Sequence, residues 1–221
     1  MKPAEATKTL VLVGAGGHAK VLLSLAKSAG FEVLGVCGPE FESREIKEWR
    51  GIKVLGGDSS IEQLDPKKIG LINGVGHVMH NTIRRAIFER YRDKGFNFPA
   101  LIHPFSSIDP SVSLGQGVQV MAGAVIQADS VIGENTIINS RASIDHDCIV
   151  NANVHIAPGV VVCGSTTIGA GAFIGAGATI IQSLIVGENA VVGAGSVLVR
   201  SLPANCMSLG IKPHVTQRQQ N

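Results

Sequence analysis

The amino-acid sequence predicts an α/β domain of Rossmann type followed by a parallel β-helix built from six-residue repeats. Two observations lead to this prediction. Short apolar strands alternate with helices over the first hundred residues, and an aliphatic residue then recurs at every sixth position without interruption. We expect the α/β domain to span residues 1–102, the β-helix 103–202, and a C-terminal extension 203–221.

The α/β domain is predicted from apolar runs separated by turn residues and amphipathic stretches. The expected strands are Thr9–Val13, 31–36, 52–55, 69–75 and 98–102, and the expected helices are 18–29, 59–64 and 81–94. The first helix shows apolar residues at helical spacing and ends at Gly30. Strands that alternate with helices favour a parallel sheet covered by helices.

The β-helix is predicted from a strict period of six. Stepping by six from Ile108 to Leu198 meets sixteen positions, and all of them are Ile, Leu or Val. The next residue is often Gly, and the fifth position of each hexad is mostly small or aliphatic. This pattern predicts a triangular coil in which three short strands each point one aliphatic residue inward. Each strand would hydrogen-bond to the coils above and below it.

Composition and charge exclude several classes of protein. The chain is 45% hydrophobic and 16% charged, with a net charge of +2, so it is too apolar for a disordered chain. It lacks the basic patch interleaved with aromatics that nucleic-acid binding favours. No apolar run suits a membrane helix or a signal peptide, so we expect a cytoplasmic protein. The four cysteines are scattered and are expected to be reduced thiols.

The first motif with chemical meaning is the sequence Gly-Ala-Gly-Gly-His-Ala at 14–19, between the first strand and the first helix. It fits the pattern G-x-G-x-x-[G/A], in which backbone amides face a phosphate at a helix N-terminus. An NAD site also needs an acid about 20 residues further on. That place reads Val-Cys-Gly-Pro, and the nearest acid, Glu40, lies past the proline. We expect a nucleotide-phosphate or sugar-phosphate site; the alternative is a tight turn that only packs helix on strand.

The second motif is Asp145-His146-Asp147 inside the repeat. Residues 108–198 contain only seven charged side chains, and two of them flank this histidine. A carboxylate beside an imidazole holds one tautomer and makes the other ring nitrogen a better proton acceptor. Neighbouring strand residues point to opposite faces, so a contact between His146 and Asp147 requires a corner. The alternative is an exposed corner histidine between two solvated acids.

Three other histidines are candidate ligands or catalytic groups. His155 follows His146 by nine residues, which is half of an 18-residue coil, so the two would lie on different sides of one prism. They could meet across a subunit interface. His77 and His80 have no carboxylate at a spacing that suits a metal, and we expect no metal site.

Together these motifs resemble the hexapeptide-repeat, left-handed β-helix acyltransferases. Three features are more specific than the repeat itself. They are Gly-x-Gly-Gly-His after the first strand, His-Asp in mid-repeat, and a second histidine nine residues later. They are similar to the subgroup of sialic-acid O-acetyltransferase homologues and nucleotide-aminosugar N-acetyltransferases, over residues 10–213. The resemblance implies a homotrimer with active sites between subunits, acetyl-CoA as co-substrate, and no metal.

The resemblance also implies roles for individual residues. His146 would be the general base, Asp147 would raise its basicity, and the Gly164 N–H would hold the thioester oxyanion. The residues implied for CoA are His155, Ala176, Ala194 and Lys212, with His155 supplied by the adjoining subunit. The residues implied for the nucleotide sugar are Gly16, Gly17, His18, Cys37, Gly38 and Gly76.

The chain departs from this family at two places. Relatives commonly carry an Asp pair after the second strand, where Cys37 and Gly38 stand here. The usual terminal Gly-x-Pro-Ala-Lys becomes Gly-Ile-Lys-Pro-His at 210–214, which leaves Lys212 as the cation for the CoA phosphate.

The activity that the resemblance implies is acetyl-CoA-dependent N-acetylation of a nucleotide-linked 4-amino-4,6-dideoxy sugar, in polysaccharide or glycan synthesis. Two alternatives remain open, a sugar O-acetyltransferase of the sialic-acid type and a non-catalytic scaffold that binds nucleotide sugars. An NAD-dependent oxidoreductase is opposed by the missing ribose-binding acid.

Overall fold

The computed structural model describes residues 9–42, 45–76 and 82–210, and its first part is an α/β domain. The strands are β1 (Thr9–Val13), β2 (Glu32–Cys37), β3 (Glu48–Trp49), β4 (Ile52–Gly56) and β5 (Gly70–Asn73). The helices are α1 (Gly17–Ser28) and α2 (Ile83–Asp93), with 3₁₀ turns at Pro39–Phe41 and Asp58–Gln63. Within the described residues the sheet order is β3-β4-β2-β1-β5, and all neighbours except β3 and β4 are parallel. This confirms the predicted Rossmann-type domain.

Some elements differ from those that the sequence predicts. The helix expected at 59–64 is a 3₁₀ turn, and β3 is an edge strand of two residues, too short to show an alternating pattern. The strand expected at 98–102 is reduced to β6 (Leu101–Ile102), and it pairs with Gln119–Val120 in the β-helix. Pro99, which has no N–H to donate, precedes this strand.

The second part of the chain is a prism of two-residue parallel strands, as predicted, with three faces. Face 1 contains β7 (Ser107–Ile108), β10 (Val125–Ile126), β13 (Ser143–Ile144), β16 (Val161–Val162), β19 (Thr179–Ile180) and β22 (Val197–Leu198). Face 2 contains β8 (Ser113–Leu114), β11 (Val131–Ile132), β14 (Ile149–Val150), β17 (Thr167–Ile168) and β20 (Ile185–Val186). Face 3 contains β6, β9 (Gln119–Val120), β12 (Ile137–Ile138), β15 (His155–Ile156), β18 (Phe173–Ile174), β21 (Val191–Val192) and β23 (Met207–Ser208).

The stack of coils keeps an 18-residue register over most of its length. Ile126, for example, pairs with Ile144, which pairs with Val162. The sequence pattern predicts that the chain leaves the repeat beyond Pro203, but β23 adds a further strand to face 3. Its residue Ser208 pairs with Val192 across 16 residues, which breaks the period of six and explains why the sequence pattern ends early.

The interior of the prism is formed by the aliphatic residue of each hexad together with small residues. The inward residues from Ile126 to Leu198 are buried in one cluster, which also contains Ala124, Ala142 and Ala172. Three residues after each inward position from Leu114 to Val192, the backbone turns with a positive φ, at Gly or at polar residues such as Asn135 (φ 56°).

The α/β domain packs on the first coils of face 3. Leu10, Leu12 and Leu22 share a buried cluster with Met121 and Ile137, whose side chains point outward from the prism. The ends of β1 and β5 are thereby held next to the β-helix. Among the described residues, no helix is long and apolar enough to cross a membrane.

Glycine follows the inward aliphatic residue where the next coil comes close. A Cβ at five of these positions would lie between 2.2 and 2.6 Å from a backbone nitrogen of the neighbouring coil. These positions are Gly115, Gly133, Gly169, Gly175 and Gly187.

We expect Gly169→Ala to destabilise the protein by about 1–3 kcal/mol, because its methyl group must push apart two hydrogen-bonded coils. Thermal unfolding followed by circular dichroism measures this as a lower midpoint temperature. The matched control is Gly159→Asn, at a corner with φ +69° and no atom within 4 Å of a Cβ. The control should unfold close to the wild type, and equal losses in the two variants would contradict the explanation.

Candidate active site

His146 lies at an exposed corner between β13 and β14. Asp147 has a φ of 57°, and this left-handed turn brings two sequence neighbours together. The His146 Nδ1 and Asp147 Oδ2 atoms are 2.7 Å apart, and the His146 backbone N–H donates to Asp145 Oδ1 at 2.8 Å. The corner required for a contact between His146 and Asp147 is therefore present. With the proton on Nδ1, the Nε2 atom is left as the proton acceptor.

The electrostatic environment of His146 favours its protonated form. The hydrogen bond to Asp147 raises the pKa of the imidazole, and the charge of Asp145 raises it further. The two side chains of the pair are 58% and 59% exposed, so the pair contributes little to stability. It is accessible to a ligand.

Gly164 lies against the His146 ring, one coil further along the prism. A Cβ at Gly164 would be 2.7 Å from both Cε1 and Nε2 of the imidazole, so any other residue would displace the ring. Within the described part of the chain, the Gly164 N–H has no hydrogen-bond acceptor. A backbone N–H beside a base can stabilise a developing oxyanion.

A groove of about 490 Å³ runs along the corner between face 3 and face 1. It is lined by His155, Ala157, Pro158, Phe173, Gly175, Ala176, Val191, Val192, Gly193, Ala194, Met207 and Leu209. The structure thus brings together three of the residues expected to bind CoA. The fourth, Lys212, lies outside the described residues.

The groove combines an aromatic wall with backbone donors. The rings of His155 and Phe173 stack with centroids 5.0 Å apart and planes at 30°. The N–H groups of Ala176 and Ala194 take no part in the hydrogen bonds between described coils. An extended ligand with alternating apolar and amide groups fits such a surface.

The His146 corner and the groove are separate within one chain. His146 lies where face 1 meets face 2, whereas the groove lies where face 3 meets face 1. The two corners flank the same face of the prism.

The glycine-rich loop lies at the carboxyl ends of the parallel strands. The order of strands reverses at β1, between β2 and β5, and ligands of such sheets bind at this point. A Cβ at Gly16 or Gly17 would meet no atom within 4 Å. The loop is therefore uncovered at the start of α1.

His18 connects this loop to the β-helix. Its Nε2 is 2.8 Å from Gln119 Oε1, and Gln119 Nε2 donates to the Asn73 carbonyl at 3.0 Å. Burial, with the nearby Arg84 charge, lowers the pKa of His18 to about 4, so the ring is neutral at pH 7. Gly76 lies beside it, since a Cβ there would be 3.3 Å from the His18 Cβ. Sequence reasoning missed Gln119 and Asn73. One signal was present in the sequence, for Gln119 alone: a long polar side chain in a strand of the repeat.

Arg84 is a buried cation between the loop and the β-helix, and sequence reasoning also missed it. Its guanidinium donates to the carbonyls of Asn73, Val75 and Asn135 at 2.7–3.3 Å. Burial lowers its pKa to about 9, which leaves it charged at neutral pH.

The departure at Cys37 and Gly38 has a structural explanation. The Cys37 side chain is buried in the core, which raises the pKa of the thiol to about 12, so a ligand could meet only its backbone. The carboxylate of Glu40 turns back over Gly38, and its Oε1 accepts a hydrogen bond from the Ala15 N–H at 2.6 Å. Sequence reasoning had set Glu40 aside because it follows a proline.

No group of three or more His, Cys, Asp or Glu side chains in the described part of the chain could hold a metal ion. His77 and His80 lie outside the described residues.

Comparison with known proteins places these features in a family. Residues 9–91 match the model of the PglD N-terminal domain, and residues 129–164 and 165–200 match the bacterial transferase hexapeptide model. A variant of perosamine N-acetyltransferase from Caulobacter crescentus, solved in complex with CoA and GDP-perosamine, is 34% identical, with a TM-score of 0.83. The match covers 95% of this chain and 97% of that one.

A second solved structure is the acetyltransferase domain of PglB from Neisseria gonorrhoeae, in complex with acetyl coenzyme A. It is 37% identical, with a TM-score of 0.84, and the match covers 93% of this chain and 97% of that one. The chain therefore belongs to the family of hexapeptide-repeat, left-handed β-helix acetyltransferases that carry a PglD-type N-terminal domain.

Proposed function

We propose that this protein transfers the acetyl group of acetyl-CoA to the amino group of a nucleotide-linked 4-amino-4,6-dideoxy sugar. The observation that carries the proposal is the His146–Asp147 pair, held at 2.7 Å on an exposed corner above Gly164. The relatives in complex with CoA, GDP-perosamine or acetyl-CoA support it. The N-terminal domain would bind the nucleotide and the β-helix would carry out the transfer.

The proposed reaction is direct transfer in a ternary complex. The neutral amine of the sugar attacks the thioester carbonyl, and a C–N bond forms. His146 Nε2 accepts the proton that the nitrogen loses, while Asp147 stabilises the resulting imidazolium. The Gly164 N–H stabilises the oxyanion of the tetrahedral intermediate. The C–S bond then breaks, and CoA leaves as its thiolate.

The two substrates would approach His146 from different parts of the molecule. CoA would lie in the groove, with its pantetheine amides on the backbone of Ala176 and Ala194 and its thioester near His155. The nucleotide would lie on Gly16, Gly17 and Gly76, beside His18. Lys212 would bind the CoA phosphate.

A trimer would complete each active site. The His146 corner and the groove flank face 1, whose outward side chains are uncharged Ser, Thr and Val residues. Val161 and Val197 on this face are 41% and 64% exposed. Three copies with face 1 turned toward a threefold axis would set the His146 corner of one subunit against the groove of the next.

The substrate class is tested by thiol release from acetyl-CoA with UDP-, dTDP- and GDP-linked 4-amino-4,6-dideoxy sugars, beside their 4-hydroxy counterparts. We expect release with an amino sugar, and His146→Ala should lower kcat by about 10²–10⁴ because it removes the general base. His103→Ala, outside the proposed site, is the control. Release with hydroxyl acceptors alone would contradict N-acetylation, and a loss below about threefold in His146→Ala would exclude its role as base.

The pH dependence tests the role of Asp147. The base acts in its neutral form, so activity should rise with pH through the His146 pKa, which Asp147 raises. Asp147→Asn should therefore move the acid limb of the kcat/KM profile to lower pH and lower the plateau, because a weaker base accepts the proton less well. Asp145→Asn should shift the limb in the same direction by less, since its charge is the second cause. An acid limb that stays in place or moves upward in Asp147→Asn would contradict the assignment.

The assembly is tested by Val161→Lys, which places a cation on face 1. We expect dissociation into monomers in sedimentation velocity and loss of thiol release, because each site needs two subunits. The matched control is Ile185→Lys on face 2, where the replaced side chain is 59% exposed; it should remain a trimer. Dissociation of the control but not of Val161→Lys would contradict the orientation.

A further inference from the structure

The carboxylate of Glu40 occupies a defined position at the edge of the glycine-rich loop. It follows β2, and its Oε1 accepts the Ala15 N–H at 2.6 Å. Its Oε2 lies over Gly38, and a Cβ at Gly38 would be 2.4 Å from this oxygen. The absence of a side chain at Gly38 therefore gives the carboxylate its place beside the loop.

This carboxylate retains acceptor capacity. An ionised carboxylate has about four lone-pair positions, and the Ala15 N–H uses one of them. In the described part of the chain, no Lys, Arg or His nitrogen lies within 4 Å of Glu40. The group can therefore accept a further hydrogen bond from an O–H or N–H donor.

The position of the loop restricts what that donor can be. A diphosphate on the open amides at Gly16 and Gly17, at the start of α1, would be an anion and could not bind the carboxylate. The next group of a nucleotide along from its diphosphate is the ribose, whose hydroxyls are donors. Acids after the second strand of Rossmann domains accept a hydrogen bond from the ribose 2′-hydroxyl.

We propose that Glu40 accepts a hydrogen bond from the ribose 2′-hydroxyl, so that the site selects ribonucleotide-linked sugars over 2′-deoxyribonucleotide-linked ones. The inference rests on the proposed function and narrows its substrate class to carriers such as UDP or GDP, with dTDP excluded. Glu40, which follows Pro39, would then bind the nucleotide in place of an acid at the position of Cys37 or Gly38.

The test is calorimetric titration of the full chain with GDP, 2′-deoxy-GDP, UDP and 2′-deoxy-UDP. For the base that binds better, the ribonucleotide should bind about tenfold or more tightly than its deoxy form, as expected for a hydrogen bond to a charged group. In Glu40→Ala this ratio should fall to less than about threefold. Removing the charge also relieves repulsion of the diphosphate, but this affects both nucleotides equally and cancels in the ratio.

Glu42→Ala is the matched control, because Glu42 follows the same 3₁₀ turn and its side chain lies over Gly57 instead. It should keep the wild-type ratio. Equal binding of ribo and deoxy forms by the wild type, or an unchanged ratio in Glu40→Ala, would overturn the inference and leave the proposed function intact. A chain that binds none of the four nucleotides would contradict the proposed function as well.

Discussion

The 18-residue register of the β-helix coils is the constraint on which the rest of the structure depends. Each two-residue strand is hydrogen-bonded to the strands one coil above and below, and each inward aliphatic residue packs in the same column. This register puts Gly164 against the ring of His146, 18 residues earlier, and it aligns Ala176 and Ala194 along one groove. The proposed catalytic arrangement is therefore a consequence of stacking. A shift of one residue would turn inward side chains outward and would dismantle both sites together.

The α/β domain is positioned by polar contacts as well as by apolar packing. His18 forms a hydrogen bond with Gln119, and Arg84 donates one to the Asn135 carbonyl. The Arg92 and Glu134 side chains form an ion pair at 2.7 Å. Hydrogen bonds depend on direction, whereas apolar contact alone permits sliding. They hold the glycine-rich loop at one place relative to the prism, as the proposed ternary complex between a nucleotide sugar and acetyl-CoA requires.

His146 and His155, which flank the proposed reaction, differ from His18 in their surroundings. His146 is exposed between two carboxylates, which raise its pKa, whereas His18 is buried beside a cation and has a lowered pKa. His155 is a wall of the groove and stacks on Phe173. In the proposed reaction, histidine would thus provide a proton acceptor, a neutral structural contact and a binding surface, because burial and neighbouring charges decide its protonation.

The sequence by itself determined the β-helix and the α/β domain, and it identified His146 with its acids as the candidate centre of the chemistry. These features are local or periodic: the inward aliphatic residue recurs every six positions, and the glycine-rich loop and Asp145-His146-Asp147 are continuous segments. The tertiary structure alone decided the position of Glu40, the contacts of Gln119 and Arg84, and the burial of Cys37. Each of these depends on how the chain folds back in space, as when Glu40 reaches Ala15 across 25 residues. No period or motif encodes such a contact, because it arises from the packing of separate elements.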